Sequence, residues 1–511
     1  DPVQRALSSS GPLRLQTGDG KFAIEGEGFL WQQTNSTLLV SNRVHTSLHP
    51  ELFGPPAATP LTNRPAAAAA GIEIFSDQFE YAQVPGRGVY QGNVRVTGTN
   101  LNSTAGKLTI LLPLTEHRLQ SLTAEEHVVV DYEQAHATGE WAFYSADTEV
   151  IQLKGQPTWR IEQREGSGDD LVFERTNRVY RANGHARLQM PASSMGAAGF
   201  LSPPASASAP VPPPTNRLVE IRCDNYVLRT NLAVFRDQVR VTDRLGDQPQ
   251  GEMTCGLMTL TFVGTNELQQ MVAEQEVVIA QADRRFTATR AEYTATNSLL
   301  ELIGNPTWRD GLREGKGDQM RVNLAGGEMS VRDHAYMKLP AAELGQSALA
   351  GAGKPASGQE AKAGAPAFAE IYCRDYALAA DSALFQGGVR IEHPQMRWTC
   401  DHLALLSPPE LGKDGHRMIA EPAVVFDLLD DRGQKYHGTG QKAVYTRRLT
   451  AALTNDLMEL TGTPATLEAT NVVIRNNLIV LDMSNHKLAT PGKFNFQGTA
   501  PAAATNYIHP R

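Results

Sequence analysis

The segment Val89–Val96, VYQGNVRV, comes back as VFRDQVRV at Val234–Val241 and as LFQGGVRI at Leu384–Ile391. A strand that recurs in one chain forces a repeated fold, because each copy must meet an equivalent neighbourhood. Other landmarks recur in the same order. EIFSD, EIRCD and EIYCR precede the three copies, and STAGKLTI, MTCGLMTL and WTCDHLAL follow them. Next come AEEHVVVDY, AEQEVVIAQ and AEPAVVFDL, then VIQLKGQPTW, LLELIGNPTW and LMELTGTPAT, and finally LQMP, MKLP and LATP. Each unit is about 120 residues long, the size of a small domain rather than of a solenoid unit.

These landmarks divide the chain. Repeat one is expected over 72–191, repeat two over 218–340 and repeat three over 369–491, with a tail at 492–511. The intervening 192–217 and 341–368 are rich in Pro, Ala, Gly and Ser and read as linkers, since such tracts bury no core. GEGFLWQQTNSTLLVSNRVHTSLHP resembles the closing part of a repeat, so 13–50 reads as the C-terminal part of a further β domain. An upstream segment before Asp1, such as a membrane anchor with the front half of that domain, is expected.

Successive strand residues face opposite sides. Tyr90, Val94 and Val96 therefore share a face, against Gln91, Asn93 and Arg95. Phe235, Val239 and Val241 repeat the pattern, as do Phe385, Val389 and Ile391. A slip of one residue would bury arginines, so the register is well specified. Later in each repeat Ile151 and Leu153, Leu300 and Leu302, and Met458 and Leu460 point inward. Gly155, Gly304 and Gly462, each followed two residues on by Pro, punctuate the end of that strand. Many short strands with turns between them indicate an all-β, antiparallel fold with little helix.

The four cysteines occupy two equivalent positions: Cys223 and Cys255 in repeat two, Cys373 and Cys400 in repeat three. Repeat one has Ser76 and Ala105 there, losing both together. Paired loss suggests a bond, so disulfides Cys223–Cys255 and Cys373–Cys400 are expected, each contributing roughly 3–4 kcal/mol and implying an oxidising compartment. The alternative is two pairs of buried strand thiols. The bonds require the two cysteine strands to be neighbours or to face each other; with the recurring strand between them the sulfurs would sit ~10 Å apart.

Composition excludes several classes. The 511 residues carry a net charge of -8, so no basic field serves nucleic acid. No run approaches the ~18 apolar residues of a membrane span. No GxSxG, HExxH, Walker or dinucleotide motif occurs, and no histidine holds a fixed place across the repeats. No catalytic residue, metal site or cofactor is expected. Asp427, Asp430 and Asp431 read as a solvated turn, since the other repeats lack the cluster.

With these landmarks in hand, the chain resembles the OstA-like lipopolysaccharide-transport family, the LptA periplasmic bridge and LptC-like domains. The resemblance rests on Ser76-Asp77, YQGNVRV, AGKLTI and LKGQP in repeat one, LIGNP in repeat two, FQGGVRI and LTGTP in repeat three, and the LptC-like GEGFLWQQTNSTLLVSNRV. It implies tandem antiparallel β-jellyrolls ("β-tacos") joined by the Pro/Ala/Gly-rich linkers. It implies an apolar groove for the acyl chains of lipid A, edge-strand pairing with other Lpt components at the inner and outer membranes, and a periplasmic location. The groove candidates are then Val94, Val96, Ile151, Leu153, Val239, Val241, Leu300, Leu302, Val389, Ile391, Met458 and Leu460. Periodicity alone favours a filled sandwich core, and only the resemblance brings the groove level with it. A scaffold array of β domains with no lipid ligand is the alternative function. An enzyme would need its chemistry upstream of Asp1.

Overall fold

The computed structural model describes residues 5–53, 71–113, 119–195, 217–264, 267–344, 368–411, 415–429, 434–449, 454–470, 472–482, 487–492 and 495–498. Most of the tracts expected as linkers, most of the tail, and Asp430 and Asp431 lie outside these residues. The described chain is almost entirely antiparallel β-strand, consistent with a jellyroll-like fold. It forms two compact units. One comprises Asp1–Gly196, Pro213–Pro249 and Thr254–Met271; the other comprises Ala197–Pro212, Gln250–Met253 and Val272–Arg511.

In the first unit the strands Ala6–Gln16, Phe22–Gln32 and Thr37–Leu48 pair in sequence. Thr37–Leu48 then pairs with both Ile72–Ser76 and Gln78–Ala82, so the N-terminal strands extend the sheets of repeat one. Within repeat one, Arg87–Gly98, Leu101–Leu111, Ser121–Tyr132 and Ala135–Ser145 pair in order. One half of Ala135–Ser145 then pairs with Val150–Lys154 and the other with Thr158–Ile161. Each long strand thus serves two sheets and must bend between them, the device by which strands switch sheets.

The bends account for the recurring motif. The register breaks between Gln91 and Val94, between Glu125 and Val128, and, in the second unit, between Gln386 and Val389. Consecutive residues there are left-handed: Gly92 and Asn93 at φ +78° and +47°, Gly387 and Gly388 at +82° and +63°. Gly92 has a second reason to be glycine, because a Cβ there would stand 2.5 Å from Asp77 Oδ2. Asn93 Nδ2 donates to the same oxygen at 2.8 Å. Gly-Asn in YQGNVRV is therefore a corner. A two-residue bend keeps alternation in phase, which is why Tyr90 and Val94 both point inward. Gly155 and Gly304 are corners too, ending Val150–Lys154 and Leu299–Ile303. Gly462 differs, lying inside the strand Thr454–Ala469.

Repeats join by full-length strand pairing. Val179–Pro191 pairs with Arg217–Leu228 in the first unit, and Glu328–Pro340 with Phe368–Leu378 in the second. The recurring glutamate marks each joint. Glu73 accepts from Ser47 Oγ at 2.8 Å and contacts His45. Glu220 takes Arg187 Nε at 3.0 Å and Arg222 Nε at 2.5 Å. Glu370 stands opposite Lys338.

The cysteines correct an expectation: all four are free and buried. In repeat three Ser382–His393 pairs on one side with the strand carrying Cys373 and on the other with the strand carrying Cys400. The recurring strand lies between the two thiols, a separation of about 10 Å across two strand spacings and too far for a disulfide. Neither Cys223–Cys255 nor Cys373–Cys400 forms, and the argument for an oxidising compartment falls with them. What the position needs is a small donor. Cys223 Sγ donates to Asn225 O at 3.2 Å, as Ser76 Oγ donates to Gln78 O at 2.9 Å. Burial pushes the thiols of Cys223, Cys373 and Cys400 up to about 12, so they are poor nucleophiles.

Candidate functional site

The inward residues of successive strands meet side by side and form apolar rows. In the first unit the register leads from Phe79 to Tyr90, Leu108, Ala124, Ala142, Leu153 and Leu171. In the second it leads from Leu302 to Met320, Val331, Tyr376, Phe385, Leu403 and Ala420. The other sheet carries its own row. In repeat one Val96 stands opposite Ser103, Ser103 opposite Val130 and Val130 opposite Ala137. In repeat three the same places hold Ile391, Trp398, Phe426 and Gly438.

All twelve groove candidates are buried or half-buried. Val94, Leu153, Val239, Val241, Leu300, Leu302, Val389, Ile391, Met458 and Leu460 are buried, whereas Val96 and Ile151 remain half-buried. The half-buried inward residues gather in repeat one. On one sheet they are Val96, Ser103, Val130 and Ala137; on the other, Leu122, Tyr144, Ile151 and Phe173. Phe173 stacks on Tyr180 with ring centroids 4.2 Å apart. None of these side chains is charged, and Val96, Leu122 and Tyr144 pack against the buried core of the first unit; an uncharged surface of this kind suits an apolar chain.

Repeat three is filled. Trp398 and Phe426 stack with centroids 4.9 Å apart and are 1% and 0% exposed. A Cβ on Gly438 would stand 2.1 Å from Phe426 Cζ, so the ring lies directly on the glycine. Elsewhere in repeat three the Tyr445 hydroxyl donates to Asp456 Oδ1 at 3.0 Å. Burial raises the Asp456 carboxyl above its ordinary value.

Two further pairs tie sheet to sheet at the joints. Trp159 Nε1 donates to Tyr226 OH at 2.8 Å, and Trp308 Nε1 to Tyr376 OH at 2.6 Å. Each pair crosses from one repeat to the next and sits on a glycine, Gly166 or Gly315, where a Cβ would stand within 2.5 Å of the bonded atoms. Sequence reasoning missed these latches, although a signal exists. The tryptophan occurs in GQPTW and GNPTW, and the tyrosine occurs one repeat later in DNYVL and RDYAL. Repeat one, preceded by no such tryptophan, has Phe79 at the tyrosine place.

Among the described residues no group of three or more His, Cys, Asp or Glu could hold a metal ion, and no helix is long and apolar enough to cross a membrane. Asp427, read as part of a solvated turn, faces His437 Nδ1 at 2.8 Å.

Residues 73–179, which is repeat one, match the family described as LptA/(LptD N-terminal domain) LPS transport protein. Among solved structures, the chain is similar to LptH, the LptA homologous periplasmic component of the lipopolysaccharide transport device of Pseudomonas aeruginosa. That likeness has 18% identity, covers 22% of this chain and 82% of that one, and has a TM-score of 0.21. No curated protein matches. The partial match to the family of LptA and the LptD N-terminal domain is confined to repeat one.

Proposed function

We propose that this chain is a non-catalytic lipopolysaccharide carrier of the periplasm. It holds lipid A acyl chains between the two sheets of its β-jellyroll and joins other transport components through its outer strands. The observation that carries the reading is a coincidence of place. The stretch that matches the transport family, 73–179, holds the half-buried, uncharged row Val96, Ser103, Val130 and Ala137. Each acyl CH₂ removed from water contributes about 0.8 kcal/mol, so such a face retains a lipid without specific chemistry. Partner attachment draws on unpaired sheet edges, which add strands readily. An anchor to the inner membrane, by a segment upstream of Asp1, belongs to the same reading. Repeats 72–191, 218–340 and 369–491 act as the transport units, with full-length strand pairing as the geometry that links them.

The filled interior around Trp398 and Phe426 favours a second role, that of a structural spacer, for repeat three. The test is extraction of lipid from the chain purified in detergent-free buffer out of lipopolysaccharide-producing cells. The reading expects co-purifying lipid A in near-equimolar amount, displaced by added lipopolysaccharide. Lipid-free protein that also fails to retain added lipopolysaccharide would refute it.

A further inference from the structure

Three equivalent positions change in a graded way along the chain, and the geometry points to their controlling which repeat accepts an acyl chain. We propose that Ser103, Val130 and Ala137 keep the cleft of repeat one open to an acyl chain, while Trp398, Phe426 and Gly438 close that of repeat three. This rests on the lipid-carrier reading and adds to it a determinant of where lipid binds.

The strand register, not only the sequence, makes the positions equivalent. Val96 faces Ser103 across one strand pair as Ile391 faces Trp398, and Ser103 faces Val130 as Trp398 faces Phe426. Val130 then faces Ala137 as Phe426 faces Gly438. The pairing of these positions is the same and their side chains differ. Repeat two is intermediate in chemistry, with Met253 two residues before Cys255 and Ile279 in AEQEVVIAQ, and both are buried.

Steric fit argues that the aromatic pair acts as a plug. The Phe426 ring occupies the space where a Cβ on residue 438 would go, and Trp398 lies stacked on it. Water does not reach either ring. Trp398 also carries a cost that a purely apolar filler would not. Its Nε1 is buried with no hydrogen-bond partner among the described residues, whereas Trp159 and Trp308 both donate to tyrosines. In repeat one the same places hold a hydroxyl, a valine and an alanine, all half-buried. The row spans the four strands from Arg87–Gly98 to Ala135–Ser145. Three strand spacings of about 4.8 Å make roughly 14 Å of uncharged surface, suited to part of an acyl chain rather than to a folded partner. An acyl chain would have to displace two fully packed rings to enter repeat three.

The test exchanges fillings between repeats in the full chain and measures retention of radiolabelled lipopolysaccharide, with circular dichroism and thermal melting as fold controls. The filled variant is Ser103→Trp, Val130→Phe and Ala137→Gly. It is expected to retain at least tenfold less lipid than the wild type. The opened variant, Trp398→Ser, Phe426→Val and Gly438→Ala, is expected to retain at least as much as the wild type. Should the filled variant not fold, Ser103→Met with Val130→Ile installs the residues of repeat two at the same places and is expected to lower retention about threefold. Wild-type retention by a folded filled variant would overturn the proposal and leave the carrier reading standing. A wild-type chain that retains no lipopolysaccharide would overturn the carrier reading and this proposal with it.

Discussion

Repeats one and three share the register around their opening bend and along the row that follows it, yet the residues of that row differ. In repeat one the row Val96, Ser103, Val130 and Ala137 is half-buried; in repeat three Ile391, Trp398, Phe426 and Gly438 are buried. The comparison separates what the backbone requires from what the side chains decide. Corners, joints and inward alternation belong to the fold and recur. The size of the residue inside the fold is free to vary, and with it how fully that row is buried.

The largest expected effect tests that difference in stability. Phe426→Ala should cost about 3–5 kcal/mol, as deletion of a fully packed aromatic does, measured by urea denaturation. Val130→Ala should cost only about 1 kcal/mol, because a half-buried valine gives up little buried area. Equal losses would erase the distinction between a plugged and an open repeat.

Next come the latches. Tyr376→Phe leaves the Trp308 Nε1 buried without an acceptor, at a cost of about 1–3 kcal/mol. Tyr226→Phe should cost somewhat less, since Trp159 is only half-buried. Phe79→Tyr should gain nothing, because no GxPTW segment precedes repeat one. A stabilised Phe79→Tyr chain would break the account of the latch.

A smaller effect depends on pH. At the corners His185 is held above its ordinary value of 6.5, first by its hydrogen bond to Asp169 at 2.8 Å, and His334 likewise by Asp318 at 2.9 Å. A histidine whose folded pKa is raised contributes its stability in full below about 6.5 and loses it as pH climbs through the raised value. Melting temperature should therefore fall slightly as pH rises above 6.5, and His185→Asn with His334→Asn should flatten that slope. Both histidines are exposed, so the shift is small. Repeat three has Asn477 at the place of His185 and His334, and it cannot titrate.

The smallest effect concerns the thiols. Reductant should leave the melting temperature unchanged, and all four cysteines should alkylate after unfolding without reduction. Cys223→Ser should be nearly neutral, since Ser76 makes the same bond in repeat one.

Much of this architecture was legible in the sequence. The inward set Tyr90, Val94 and Val96 follows from alternation, and its threefold recurrence fixed the register. The corners were half-legible. Gly155 and Gly304 read as strand ends, but a two-residue bend preserves the period of two, so the corner within VYQGNVRV leaves no trace in the alternation. The disulfides misled because paired loss from repeat one also follows when two strand positions each need a small residue. The plug was illegible for a different reason. Ser103, Met253 and Trp398 occupy one phase of the pattern, and periodicity reports which face a residue takes, not how full that face is. The latches were hidden by their offset, since Trp308 and Tyr376 belong to different repeats.

Site-specific photocrosslinking to lipopolysaccharide tests the central claim most directly. A photoreactive residue placed at Val96, and separately at Ile391, reports contact in cells that make the lipid. The account predicts an adduct from position 96 and none from position 391. An adduct from 391 as strong as that from 96 would contradict it.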